Sequence, residues 1–209
     1  GMAKLSLSLN KETYIVLSGR NDNVNRISEM LARESIKVND HEEDYNSIMV
    51  EEEEALKHIT PSSLLILVDH HREILTASKS VLDAIPKRII VDHHRRAEDL
   101  LGDTVLLYLE PSSSSTSELL TELVGYFNDR LEITPAEATA LYAGIVLDTK
   151  NFAVQTGERT FEAAALLRRS GADPTMVRLM FKDDMDVLKL RARLLAEAKT
   201  IEPGIAISI

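Results

Sequence analysis

The sequence predicts an α/β fold: a parallel sheet of about four or five strands flanked by helices, followed by a helical C-terminal half. Three observations carry that reading. Short runs of branched apolar residues, "TYIVLS" (13–18), "LLILVD" (64–69), "RIIVD" (88–92) and "VLLYLE" (105–110), suit strands covered on both faces, as in parallel sheets. Helical patterns lie between them, over 22–33, 50–58 and a turn or two near 71–85. After Glu110 the strands stop, and 116–129, 135–147, 158–170, 174–181 and 184–198 all read as helices.

Local signals support these elements in turn. The acids of "EEEEALKHI" favour the positive end of a helix dipole. Pro135 follows Thr134 at a first helical position, and Gly171 follows "LLRRS" as a C-terminal stop. "IEPGIAISI" reads as a strand or a linker. The organisation is therefore one domain over 1–209, with a sheet portion over about 12–110, a helical portion over about 111–199 and a linker over 200–209.

Composition narrows the function. A chain of 209 residues can bury a sizeable core, and 44% apolar with 28% charged residues is ordinary for a globular protein. No run approaches the roughly 18 to 20 apolar residues of a membrane span, so no direct membrane contact is expected of this segment. With no cysteine, disulfides and thiolate zinc sites are excluded. A formal charge of −10 argues against long nucleic acid, and an anionic substrate would need metal ions or local arginines to offset that field.

The chemistry-bearing residues cluster at strand ends. Asp69 and Asp92 each close an apolar run and precede paired histidines, His70 and His71, then His93 and His94. Ligands of open parallel sheets bind outside the carboxyl ends of the strands, so these groups could share one crevice. Asp with His suits divalent ions such as Mn²⁺, and two such ions can clamp a phosphoryl transfer. The alternative is that each Asp caps a following helix and each His is a surface residue. "LYAGIVLDTKNF" (141–152) ends an apolar, small-residue helix at Asp148; by itself this is a buried helix with an acidic end, or a third acid for the crevice. In "EPSSSSTSELL" (110–120), hydroxyls before a helix suit either a phosphate or a capping box of Ser114 or Ser115 with Glu118.

Together, "VDHHRE", "IIVDHHRR", "YLEPSSSSTSELLTELV", "EATALYAGIVLDTKNF" and "QTGERTFEAAALLRRSGAD" resemble the DHH phosphoesterases from about Glu12 onward, and among them the GdpP-type (YybT-type) cyclic-di-AMP phosphodiesterases. The second motif there usually reads Val-Asp-Thr-His; here His70 replaces the threonine. The resemblance implies a pair of Mn²⁺ ions, with Mg²⁺ or Co²⁺ as substitutes, and hydrolysis of a cyclic dinucleotide substrate. By the same resemblance Asp69 would bridge the metals, and His93 and Asp148 would ligate one of them. Asp92 would be a ligand or the acid that orients His93, and His94 would approach the phosphate. Ser114, Ser115 and Thr116, with Arg95 and Arg159, would line the nucleotide path. Two other activities stay open: an oligoribonuclease or 3′-phosphoadenosine-5′-phosphate phosphatase of the same superfamily, and a non-catalytic nucleotide-binding module.

One motif has no match. The family's His-x-x-x-Asp-x-Asp, which supplies one histidine and two aspartates to the metals, does not occur. "DHEED" (40–44) has the composition but the wrong spacing and reads as an acidic loop, while Met2–Leu9 should be the tail of the helix that motif opens. The chain is expected to be a segment of a longer enzyme, without the first motif and the family's associated second domain, and inactive by itself. The parent is expected to be membrane-anchored with this segment cytoplasmic. An open sheet edge at Tyr14–Ser18 would favour a homodimer.

Overall fold

The computed structural model describes residues 1–19, 21–38, 41–127, 131–182 and 184–208. The chain opens with α1 (Met2–Ser8), β1 (Ile15–Val16), α2 (Asp22–Leu31), β2 (Ser35–Val38), β3 (His41–Asp44), α3 (Tyr45–Ile48), β4 (Met49–Val50) and α4 (Glu52–His58). The central part is β5 (Leu65–Val68), a 3₁₀ turn (Glu73–Leu75), α5 (Lys79–Ala84), β6 (Arg88–Asp92) and β7 (Thr104–Leu109). Helices α6 (Thr116–Phe127), α7 (Pro135–Asp148), α8 (Glu158–Arg169), α9 (Pro174–Met180) and α10 (Met185–Glu197) follow, and β8 (Lys199–Glu202) and β9 (Ile205–Ile207) close the chain. No helix among the described residues is long and apolar enough to cross a membrane.

The fold is α/β with parallel strands flanked by helices, as expected, but the five parallel strands fall into two sheets. β5, β6 and β7 form one, in that order, and β1 pairs with β4 in the other. "TYIVLS" contributes only Ile15–Val16, and a two-residue ladder is too short to extend the larger sheet. Val16 and Val50 still pack with Leu65, Val81 and Ile85 in one apolar cluster. The larger sheet explains its continuous apolar runs. Ile90 faces Leu67, Leu82 and Leu101, whereas Val91 faces Leu119, Leu141, Ile145 and Leu167 on the helical side.

One expectation changes, and two further details emerge. Residues 41–44 are not a loop: β3 pairs antiparallel with β2, where Ile36 and Val38 are buried and Lys37 is exposed, and Asp44 caps α3. Asp40 lies outside the described residues. The terminal segment takes the strand alternative, as a hairpin in which Pro203–Gly204 makes a two-residue turn with Gly204 at φ +86°. A small residue of α7 serves helix packing: a Cβ on Gly144 would stand 2.9 Å from Ser117 Cβ, so only glycine lets α7 press against the start of α6.

Helix α7 is fixed at both ends. Thr134 and Glu137 form a capping box around Pro135. Glu137 also accepts from Lys4 Nζ at 2.6 Å and Tyr45 Oη at 2.7 Å, a buried set that ties α1 and α3 to the first turn of α7. At the other end Thr149 donates to the Ile145 carbonyl and accepts from the Phe152 N–H, closing the helix just after Asp148.

Candidate metal centre

The parallel register brings the acidic strand ends level. Val68 pairs with Val91 and Asp92 with Leu109, and the ladder continues through Asp69 N–H to Val91 O and Glu110 N–H to Asp92 O. Asp69 leaves its strand at φ +69°, a left-handed conformation that Asp tolerates better than most residues. Its carboxylate is half-exposed, and Thr116 Oγ1 at the start of α6 donates to Oδ1 at 2.8 Å.

Asp92 is wholly buried at the centre. Its Oδ1 accepts from the His93 N–H at 2.8 Å, the His94 N–H at 3.2 Å and His94 Nδ1 at 2.7 Å. Its Oδ2 lies 2.5 Å from Nδ1 of buried His71. His71 Nε2 accepts the Ala97 N–H, so the proton sits on Nδ1 and points at Asp92. Burial pushes the Asp92 carboxyl up, but the hydrogen bonds from His71 and His94 outweigh it and hold it below its usual range. For His94, burial lowers the imidazole, and the bond to Asp92 with the fields of Asp92, Asp69 and Asp148 raises it further, so the net shift is upward.

His93 is held differently. Its Nδ1 lies 3.3 Å from the Ser113 carbonyl, which can only accept, so the lone pair is on Nε2. That Nε2 stands 3.6 Å from Asp69 Oδ1 and 3.8 Å from Asp148 Oδ2. Ligand atoms of Asp69, His93 and His94 lie within 4.8 Å of one another. Donors sharing one ion at about 2.1 Å stand about 3 to 4 Å apart, so the 3.6 and 3.8 Å separations of His93 from Asp69 and Asp148 fit a divalent cation of the hard to borderline type. Asp148 is pushed up by burial and by the Asp69 carboxylate beside it, the repulsion an ion would relieve.

The structure thus brings Asp69, Asp92, His93, His94, Asp148 and Thr116 together. It places the other expected residues elsewhere. Ser114 and Ser115 are buried: Ser114 Oγ donates to Glu118 at 2.5 Å and Ser115 Oγ accepts the Glu118 N–H at 3.0 Å. Arg159 makes a two-pronged pair with Glu122, at 2.8 and 2.6 Å. Arg95 is exposed, with no hydrogen bond or ion pair among the described residues. His70 turns away, with Nδ1 on the Val68 carbonyl and Nε2 against Thr76. Ser113 escaped the sequence reading, and Glu118 entered it only as part of a capping box. The paired histidines signalled His71 without saying which of the two faces inward.

Comparison with known proteins shows the family and the fold. The family model described as "DHH family, N-terminal domain" matches residues 11–145. A cyclic-di-AMP phosphodiesterase PdeA of Listeria monocytogenes is 46% identical over 154 residues, 74% of this chain and 23% of that protein. A cyclic-di-AMP phosphodiesterase GdpP of Bacillus subtilis is 38% identical over 208 residues, all of this chain and 31% of that protein. The chain thus spans less than a third of either relative's length. Among solved structures, an exopolyphosphatase-related protein of Bacteroides fragilis matches with TM-score 0.68 at 20% identity, over 95% of this chain and 58% of that one. A putative family II inorganic pyrophosphatase of Methanococcus jannaschii matches with TM-score 0.56 at 21% identity, over 88% of this chain and 54% of that one. A family model that matches residues 11–145, a stretch containing Asp69, Asp92 and His93, leaves one conclusion: the chain belongs to the DHH family.

Proposed function

We infer that the chain is the metal-binding part of a phosphodiesterase that hydrolyses a cyclic dinucleotide, cyclic-di-AMP, to linear pApA. The observation that carries this is the His93 Nε2 lone pair aimed between the Asp69 and Asp148 carboxylates, in a chain 38–46% identical to proteins named for that activity. Asp69, His93 and Asp148 are the residues that would hold Mn²⁺. When bound, the ions supply a water acidic enough to give hydroxide near neutral pH and charge to offset that of the phosphate. Asp92 acts by position: its lone pairs are taken by two backbone N–H groups and two imidazoles, so it orients His93 and His94 rather than meeting an ion. With Nδ1 on Asp92, His94 keeps Nε2 for a phosphate oxygen. Thr116 holds Asp69 in place. With Asp69, His93 and Asp148 as the only assigned ligands, the chain alone is expected to bind Mn²⁺ weakly and to turn over negligibly.

The test is hydrolysis of cyclic-di-AMP, cyclic-di-GMP and a short oligoribonucleotide by the full-length parent protein with Mn²⁺. Preference for cyclic-di-AMP is expected, with Asp148→Asn abolishing turnover while circular dichroism stays unchanged. Ordinary turnover by Asp148→Asn would defeat the metal assignment, and preference for the linear substrate would defeat the substrate assignment.

A further inference from the structure

Glu118 is a glutamate with 1% of its surface exposed, in the first turn of α6, and neither the metal ligands nor any phosphate contact requires it. An ionised carboxylate so deeply buried needs donors, and it has them from two places. Ser113 Oγ donates to Oε1 at 2.8 Å; Ser114 Oγ at 2.5 Å, the Ser114 N–H at 3.2 Å and Thr160 Oγ1 at 2.7 Å all donate to Oε2. A simple capping box would send this side chain back to the N–H of the capping residue, Ser115. It reaches one residue further, to Ser114.

That shift matters because of what the Ser114 N–H belongs to. It shares one planar peptide unit with the Ser113 carbonyl, and in a trans peptide the two groups point in opposite directions. The carbonyl of this unit accepts from His93 Nδ1 at 3.3 Å. So one rigid plane lies between a buried carboxylate and the imidazole whose far nitrogen, Nε2, faces Asp69 and Asp148. Turning the plane would break the bond to Glu118 and withdraw the acceptor that fixes the ring and its tautomer. A carboxylate on the N–H also polarises the unit and makes its carbonyl a better acceptor, which increases electron density at Nε2.

We propose that Glu118 is a positioning residue for the metal centre, acting through the Ser113–Ser114 peptide to set the orientation and tautomer of His93. This rests on the reading of His93 as a metal ligand. Thr160 separates the role from plain structural support: its hydroxyl binds the same carboxylate oxygen but touches neither the peptide nor His93.

The experiment uses the 209-residue chain with uniformly ¹⁵N-labelled histidine. Long-range ¹H–¹⁵N spectra report the tautomer of His93, and Mn²⁺ titration followed by paramagnetic broadening reports affinity, even where it is weak. In Glu118→Gln the Nδ1–H tautomer of His93 is expected to give way to a mixture, with Mn²⁺ affinity falling about tenfold or more, the usual effect of losing an outer hydrogen-bond partner of a ligand. Thr160→Val is expected to lower the melting temperature yet keep the tautomer and bind Mn²⁺ within twofold of wild type. Should Glu118→Gln fail to fold, Ser113→Ala, which removes one tether, is expected to shift the tautomer in the same direction. A wild-type tautomer and Mn²⁺ affinity in a folded Glu118→Gln, or in Ser113→Ala where the former is unfolded, overturns the proposal alone. Unchanged Mn²⁺ binding by His93→Ala overturns the metal reading and this proposal with it.

Discussion

Asp92 shows how much a single side chain can organise without touching the chemistry. Its two oxygens receive four protein donors while it is wholly buried. Asp92→Asn keeps the shape but turns one acceptor into a donor, facing either the His71 Nδ1–H or the donors of His93 and His94. Mn²⁺ affinity is expected to fall about 10- to 100-fold, measured by the same titration, whereas Asp44→Asn, at the cap of α3, should stay within twofold. Equal losses in the two variants would mean that general acidity and not this site is being measured. Asp69 and His93 were legible in the sequence because each follows the end of an apolar strand, whereas Asp148, at the end of a helix, was singled out by the family resemblance. Which of His70 and His71 turns inward, and what Ser113 and Glu118 do beyond capping, were not legible, since these depend on which loop presses on which. Nothing in "EPSSSST" shows that a serine carbonyl will meet an imidazole twenty residues earlier in the chain.

Among elements, α6 and α8 are joined where their first turns meet, through Glu118 and Thr160. Burial pushes the Glu118 carboxyl up, and hydrogen bonds from Ser114, Thr160 and Ser113 together hold it below the ordinary value of 4.5. A depressed folded-state pKa contributes stability above the unfolded value and loses it as pH falls through the folded one. Glu118→Gln is therefore expected to cost about 1 to 3 kcal/mol at neutral pH. The gap in melting temperature from wild type should be constant between about pH 5 and 7 and close below about pH 4.5. A gap that persists undiminished to about pH 3 would show that volume and not charge is what the site needs. Element types were mostly readable here: α6 to α9 lie within two residues or so of their expected bounds, because capping signals such as Thr134-Pro135 mark them. The hairpin of β2 and β3 was not readable, because His-Glu-Glu-Asp has no strand propensity of its own and is held by its pairing with β2.

At the scale of the molecule, a chain of formal charge −10 gathers Asp69 and Asp148 at one end of its sheet and asks the fold to bear them close together. Burial and the Asp69 charge raise the Asp148 carboxyl, and a raised acid costs stability once the pH exceeds its folded value. The metal-free protein is thus expected to melt at higher temperature as Asp148→Asn than as wild type. Added Mn²⁺ should raise the wild-type melting temperature progressively, as a ligand binding only the folded state must, and leave the variant almost unmoved. Differential scanning calorimetry at pH 7 with and without Mn²⁺ checks both. A metal-free Asp148→Asn that melts below wild type would deny the repulsion.

The left-handed turn at Asp69 carries this further. At φ +69° the backbone there would suit glycine better than any residue with a Cβ. A library of this chain propagated under heat shock, with metal withheld, would drift toward glycine at 69 and asparagine at 148. Each step would make a hardier molecule, and each would erase part of the reason the sheet ends where it does. The two aspartates of this chain thus stand against the grain of its own durability, a cost that only the binding of an ion would offset.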